Sequence, residues 1–186
     1  TFHDDANFTH AEFHGKSDFD EVLFDGDADF SNVVFHDLTV FRGAEFYGGT
    51  NYIEDDAVFT EAVFGDDANF TNVSFTSVNF LNAQFRGSVD FANTDFSDSL
   101  HLRASSFGER TYFNFTDATI ADGTIIQPED GWIRFDMTRA TLGTVVLSAD
   151  NPTDERELLD YFRICDTTFD GFDFSDHTAY LDRNNW

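Results

Sequence analysis

His14 and His36 are the first residues whose type and spacing suggest chemistry, because each directly follows a phenylalanine and those two phenylalanines are four steps apart in a regular series. If such residues lie above one another, as the repeat described below indicates, the imidazoles are about 5 Å apart. Such a pair can share a metal ion or respond to pH near neutrality. No third ligand beyond Asp37 is evident, and repeated corners bring like residues together in any case. We therefore expect no metal site, and keep His14 and His36 as the weak candidates.

Closely spaced carboxylates suggest a calcium site. The candidates are the alternating Asp25, Asp27 and Asp29 and the doublets Asp4-Asp5, Asp55-Asp56 and Asp66-Asp67. These segments lack the bidentate glutamate that closes a known calcium loop, and they lack the glycine-rich repeat of calcium-binding β-rolls. We expect them to form solvated surface.

Covalent catalysis finds little support in the sequence. We find no nucleophile with a base at motif spacing and no glycine-rich phosphate loop. The single cysteine, Cys165, is expected to be a small buried hydrophobe, because no basic neighbour is placed to activate its thiol. The chain is therefore predicted to be neither an enzyme nor a cofactor-binding protein.

Glycosylation is a further chemistry that short motifs suggest. Four Asn-x-Ser/Thr sequons begin at Asn7, Asn69, Asn72 and Asn114. If the protein is extracellular, these asparagines can carry glycan, since they flank core positions and point outward. The repeat supplies Asn and Thr at such positions anyway, so the sequons are also explained without glycan.

The elements that must position these residues follow from the spacing of phenylalanine, which alternates between five and six residues. The residue two before each phenylalanine is small or β-branched, while the immediate neighbours are mostly polar. This alternation predicts short strands with one small and one large inward side chain, separated by polar corners that contain several glycines. A sustained spacing of five and six excludes an amphipathic helix.

Four such faces give a coil of about 22 residues, a length typical of stacked repeats, and equivalent positions then form four columns of inward side chains. These columns are predicted to be Phe8, Phe30, Tyr52, Phe75, Phe96; Phe13, Phe35, Phe59, Phe80, Leu102; Phe19, Phe41, Phe64, Phe85, Phe107; and Phe2, Phe24, Phe46, Phe70, Phe91, Phe113. The alignment requires one residue to be gained between Tyr52 and Phe59 and one to be lost between Phe75 and Phe80.

The recurring A-x-F pattern, as in Ala6-Asn7-Phe8, Ala28-Asp29-Phe30 and Ala68-Asn69-Phe70, resembles the pentapeptide-repeat family. The resemblance implies an all-β solenoid, a right-handed quadrilateral β-helix. This chain differs from the family's commonest form because it prefers Phe to Leu and inserts a sixth residue at alternate corners. We expect the regular β-helix to cover residues 1–113.

The pattern becomes less regular over residues 114–150, where we expect the final coils. Candidate core residues there are Ile120, Ile125, Ile133, Phe135, Leu142 and Leu147, with Ala118, Gly123 and Ala140 as small partners. Residues 151–186 are predicted to form a helical cap. The first helix begins at Thr153 and has Leu158, Leu159, Phe162 and Cys165 along one face, and a second short helix begins near Ser175 or Asp176.

The charge of the chain is strongly negative, with 36 acidic against 10 basic residues and a net charge of −26. This composition resembles that of salt-loving archaea. We predict that folding requires high salt, because about 1 M salt shortens the Debye length to about 3 Å and screens the repulsion. We find no membrane span and no signal peptide, so a cytoplasmic location is slightly favoured over an extracellular or cell-surface one.

Two functions remain open at this point. The first is a non-enzymatic structural or protein-interaction scaffold with no direct binding of nucleic acid, which the negative charge would repel. The second follows from the resemblance, since some pentapeptide-repeat proteins mimic duplex DNA and bind type II topoisomerases. Against the second, the predicted alignment has no long loop between the coils.

The start of the chain also carries expectations. Thr1 is not an initiator methionine, and Phe2 already occupies a core position. We therefore expect a part of a longer protein, attached to a membrane segment or another domain, and end-to-end self-association is an alternative use of the bare coil edge.

Overall fold

The computed structural model describes residues 1–48, 56–103, 106–107, 111–127, 134–149, 161–171 and 178–183. All of the strand pairs are parallel, and each strand pairs with the equivalent strand of the neighbouring coil. The result is an all-β solenoid with roughly 22 residues per coil. The predicted architecture is therefore confirmed.

Two faces consist mostly of two-residue strands. The second face contains β2 (Glu12–Phe13), β6 (Val34–Phe35), β10 (Val63–Phe64), β13 (Gln84–Phe85) and β16 (Ser106–Phe107). The third face contains β3 (Ser17–Asp18), β7 (Thr39–Val40), β11 (Ala68–Asn69), β14 (Val89–Asp90), β17 (Tyr112–Asn114), β19 (Arg134–Asp136) and β21 (Phe162–Arg163).

The first and fourth faces join into one sheet. They begin as short strands β1 (Ala6–Asn7), β5 (Ala28–Asp29), β9 (Ala57–Val58), β4 (Leu23–Phe24) and β8 (Glu45–Phe46). Longer strands then run through the corner, namely β12 (Ser74–Asn79), β15 (Asp95–Arg103), β18 (Thr119–Gln127) and β20 (Thr141–Ala149), and the sheet ends with β22 (Thr168–Phe169).

The core is a set of aromatic stacks that run along the axis of the solenoid. Phe70 shows the pattern: its ring is stacked on Phe41 at 5.1 Å and on Phe91 at 5.0 Å, and it meets Phe59 edge-on at 5.8 Å. The ring is fully buried. Stacking between coils and edge contacts within a coil are both favoured aromatic geometries, so phenylalanine at this position stabilises both directions of packing.

Half of the corners are tight turns with a left-handed residue. At the first of them, the amide of Ala11 donates to the carbonyl of Phe8 at 2.9 Å, and His10 has φ of 62°. Asn32 and Asn72 occupy equivalent positions with φ of 58° and 57°. Asparagine tolerates this conformation, which explains why these turns do not depend on glycine.

The predicted register is correct through Phe46 and wrong beyond it. The structure pairs Phe35 with Phe64 and Phe46 with Phe75, so this coil is seven residues longer than the one that joins Phe13 to Phe35. Tyr52, which was expected in the core, lies outside the described residues, and Phe59 lies above Phe30 at a ring distance of 4.9 Å. The single-residue gain and loss do not occur. The pairing of Phe64 with Phe85 shows that the next coil returns to nearly the original length, one residue shorter than the first.

The position of Phe113 is a second correction. Phe113 pairs with Val89, so it occupies the small inward position of its strand. Phe115 takes the place above Phe91, with a ring distance of 4.9 Å. Phe135 and Phe162 continue the column above Phe113 at 5.2 and 4.8 Å. The later coils therefore hold large side chains at both inward positions of this face.

The helical cap is not supported. Phe162 and Arg163 form β21, which extends the third face, and Thr168 and Phe169 form β22. Residues 151–160, where the first helix was predicted to begin, lie outside the described residues. One short helix, α1 (Thr178–Arg183), lies where the second helix was expected. None of the helices in the described part of the chain is long and apolar enough to cross a membrane.

Candidate functional site

The histidine corner is built by β2 and β6. The pairing of Phe13 with Phe35 places His14 and His36 one strand apart, and their rings stack at 4.6 Å with an interplanar angle of 12°. Glu12 lies on the same outward side as His14, because side chains alternate along a strand. Its Oε2 atom is 3.5 Å from Nε2 of His14 and 3.7 Å from Nε2 of His36.

The calcium candidates have structural contacts instead of a shared ligand position. Asp5 accepts a hydrogen bond from the amide of Asp27 at 3.2 Å, and Asp67 accepts one from Ser88 at 2.7 Å. In both cases a carboxylate caps an amide of the next coil. Asp56 is buried and accepts hydrogen bonds from the amide and hydroxyl of Ser77 at 3.1 and 2.9 Å. Asp55 lies outside the described residues.

Two arginines pair with aspartates one coil earlier. Arg42 donates through Nε to Asp20 at 2.8 Å, and Arg139 donates through Nε to Asp117 at 2.7 Å. The guanidinium hydrogen bond holds the pKa of each aspartate below its ordinary value. These arginines bridge coils at corners.

The sequon asparagines act in the corner turns. Asn7, Asn69 and Asn114 each accept a hydrogen bond from the amide two residues later, at 2.9, 2.9 and 3.0 Å. The Nδ2 atom of Asn114 donates to Asp90 at 3.0 Å. Asn72 is exposed in a left-handed turn. The amide nitrogen of Asn114 is thus engaged with the neighbouring coil.

Cys165 was predicted to be buried on a helix, and this is wrong. Ile164 is the inward residue of this strand end and is 8% exposed, so the next residue lies at the corner. Cys165 is consequently exposed, and its carbonyl accepts a hydrogen bond from the amide of Arg139 at 2.8 Å.

The third face carries a buried carboxylate that the sequence analysis missed. Asp136 accepts hydrogen bonds from the hydroxyl of Tyr112 at 2.8 Å and from Nη1 of Arg163 at 3.3 Å. The amide of Thr138 donates to it at 2.9 Å. Burial raises the pKa of Asp136, but these hydrogen bonds, led by those from Thr138, outweigh burial and lower it. Burial and then the bond to Asp136 raise the pKa of Tyr112 to about 12.

A cleft of about 300 Å³ opens beside this carboxylate, lined by Tyr112, Arg134, Phe135, Asp136, Tyr161, Phe162 and Arg163. Arg134 pairs with Tyr112 in register and Arg163 pairs with Asp136. Unequal coil lengths bring them together, because the coils that end in these pairs exceed the first by two and by five residues. The pairs Phe96–Ile120 and Leu142–Phe169 show the same two lengths.

The long strands β12, β15 and β18 form a second concave surface, which we call the long-strand groove. Its volume is about 270 Å³, and it is lined by Asn79, Leu81, His101, Leu102, Arg103, Thr124 and Ile126. Leu81 is 39% exposed, and Val146, which pairs with Thr124, is 55% exposed. None of these described lining residues is a carboxylate, so the groove differs in chemistry from the composition of the chain.

The parallel stacks, the four faces and the aromatic core define a β-solenoid of repeated pentapeptides. The family model described as pentapeptide repeats matches residues 1–34, 8–51 and 53–95. The chain belongs to the pentapeptide repeat family.

Other comparisons add little. No curated protein matches the sequence. Among solved structures, the chain is similar to a trypsin-treated variant of QnrB1, described as a plasmid-mediated fluoroquinolone resistance protein. The identity is 14%, the match covers 98% of this chain and 97% of that chain, and the TM-score is 0.19.

Proposed function

We propose that this chain is a non-enzymatic protein-interaction scaffold adapted to high salt, and that its partner binds at the long-strand groove. The observation that carries the proposal is the absence of carboxylates among the groove's described lining residues, in a chain with 36 acidic and 10 basic residues. Two acidic proteins repel each other, so a contact between them is favoured where carboxylates are missing. Exposed Leu81 and Val146 add apolar area, which association buries.

Salt adaptation rests on the placement of the carboxylates. Asp56 and Asp136 are the buried carboxylates of the described residues. The others stay in contact with water, where dissolved salt screens their repulsion. Urea unfolding at low and at molar KCl tests this part: we expect the folded state only at high salt, and equal stability at both would overturn it.

The partner is tested by affinity capture from the native cells at native salt, followed by mass spectrometry. Val146→Asp adds a carboxylate at the edge of the groove without touching the core, and Leu38→Asp adds the same charge at an exposed corner elsewhere. We expect the same partner with the native chain and with Leu38→Asp, and its loss with Val146→Asp. Equal capture by both variants would show that the groove is not the contact surface.

A second candidate, a DNA mimic that binds a type II topoisomerase, is favoured by charge density. Eight strands stack along one path of the sheet, which at about 4.8 Å per strand gives a length of about 34 Å. The net charge of −26 then corresponds to roughly 0.8 charge per Å, against roughly 0.6 for duplex DNA. The lengthened coil between Phe35 and Phe64 also removes the argument that all coils are uninterrupted.

A gyrase supercoiling assay at the lowest salt that keeps the chain folded separates the two candidates. Inhibition or protection of the enzyme supports mimicry. No effect at excess protein dismisses it and leaves the scaffold.

A further inference from the structure

We infer that Glu12, His14 and His36 form a binding site for a divalent transition-metal ion that links the first two coils. The site is independent of the groove and of the proposed scaffold function. Each side chain offers one ligand atom, and the three atoms lie within 4.8 Å of one another. The carboxylate oxygen lies 3.5 and 3.7 Å from the two imidazole nitrogens.

These distances are close to those of a bound ion. Zinc binds histidine nitrogen and carboxylate oxygen at about 2.0–2.2 Å, so two donors on a tetrahedral ion are about 3.4 Å apart. The two measured donor separations exceed this value by only a few tenths of an ångström. Small rotations of exposed side chains are sufficient to close the site.

The backbone already fixes the arrangement. The amide of His36 donates to the carbonyl of Phe13 at 3.0 Å, which holds the two strand ends in register. The stacked rings at 4.6 Å keep the imidazoles nearly parallel. Both Nε2 atoms are directed to the same carboxylate oxygen, so an ion that replaces this contact meets all three donors together.

The donor set selects the type of ion. Two imidazoles and one carboxylate suit zinc and its neighbours, whereas calcium and magnesium prefer oxygen ligands. The side chains of Glu12, His14 and His36 are 58%, 76% and 45% exposed, so an ion can enter from solvent and water can complete its coordination. The net negative charge of the chain raises the local concentration of cations.

The bound ion would act as a clip at the end of the solenoid. Phe8, Phe13 and Phe19 of the first coil are only partly buried, so this coil lacks the enclosure of the inner ones. A ligand that binds only the folded state stabilises it. Zinc is therefore expected to protect the first coil against local unfolding.

The direct test is titration of the full chain with zinc in molar KCl, in competition with a chromophoric chelator, supported by the visible spectrum of the cobalt form. We expect one ion per chain. His14→Ala and His36→Ala should each weaken binding roughly tenfold or more, and Glu12→Gln roughly tenfold. His3→Ala and His101→Ala, which remove exposed histidines elsewhere, should leave the affinity unchanged.

A second measurement covers the folded state of the variants. Zinc should raise the melting temperature of the native chain, EDTA should reverse the rise, and the double variant His14→Gln/His36→Gln should show no rise while melting normally without metal. Binding that survives in the double variant, or a native chain that binds zinc no better than it does, would overturn the assignment.

Discussion

Asn69→Asp should destabilise the solenoid in a salt-dependent way, because it places two carboxylates on adjacent strands. Asn69 pairs with Asp90 in the parallel register. Among the paired positions of the described strands, no carboxylate faces another: Asp90 is followed by Asn114, and that residue by Asp136. The substitution breaks this separation without loss of the corner hydrogen bond from Thr71, since aspartate also offers Oδ1.

The magnitude follows from the strand spacing. Two unit charges about 4.8 Å apart repel by about 0.9 kcal/mol at a dielectric constant of 80 and by about 3.5 kcal/mol at the value of 20 that suits pairs near a protein surface. Both side chains are partly buried, so we expect a loss of about 1–3 kcal/mol at low salt. With a Debye length of about 3 Å at 1 M, about a fifth of the repulsion remains.

Asn79→Asp is the matched control. Asn79 accepts the equivalent corner hydrogen bond, from Leu81 at 2.8 Å. Its paired neighbours are Val58 and His101, so the added charge has no carboxylate beside it. Urea midpoints are measured for both variants across KCl concentrations, from the lowest that keeps the native chain folded. If Asn69→Asp costs no more than Asn79→Asp, or if its cost does not fall with salt, the reasoning is refuted.

Three further substitutions test the core, a backbone contact and the buried carboxylate, each through urea midpoints in molar KCl. Phe70→Ala removes a fully buried ring and should cost about 3–5 kcal/mol, whereas Phe2→Ala, at a ring that is 39% exposed, should cost clearly less; equal losses would argue against the stacked core. Gly123→Ala should cost about 2–4 kcal/mol, because φ is 153° and the new Cβ would lie 2.3 Å from a backbone oxygen of the neighbouring strand. Gly15→Ala, with nothing within 4 Å, is its neutral control. Asp136→Asn should cost about 1–3 kcal/mol near neutral pH; because the pKa of Asp136 is lowered, the native advantage is full above about pH 4 and lost as pH falls through the folded pKa, so a pH-independent gap would contradict it.

The fold could be predicted because the inward positions of short strands impose their own period. The spacing of phenylalanine is set by the distance around the coil, and no other regular structure has it. The length of each corner is a different matter. A corner can absorb seven extra residues while Phe46 still pairs with Phe75, so the aromatic Tyr52, six residues after Phe46, gave the wrong register.

The end of the solenoid was mispredicted because a short segment fits two periods. Phe162 and Cys165 have the spacing of a helix face, but Phe162 and Ile164 are also two residues apart, which suits the inward side of a strand. The pairing of Phe162 with Phe135 shows that the strand period applies. Phe113 and Phe115 pose the same ambiguity, since either can take the large inward position, and the packing against Phe91 decides it.

The two sites differ in how far the sequence reveals them. The stacking of His14 on His36 follows from the coil length, and Glu12 could have been found from the alternation of side chains along β2. The contact of Tyr112 with Asp136 could not, because it depends on irregular coil lengths. Only the paired strands of the structure define these lengths.

The corner hydrogen bonds separate the charge of this chain from its fold. Asp29 and Asp90 accept the amide two residues later at 2.8 and 3.0 Å, and Asn7 and Asn69 accept it at 2.9 Å in the same geometry. Since either side chain satisfies the corner, folding does not decide which of them is present. The charge at these positions is therefore set by the medium or by a partner, and a surface that lacks carboxylates, such as the long-strand groove, reflects a requirement other than folding.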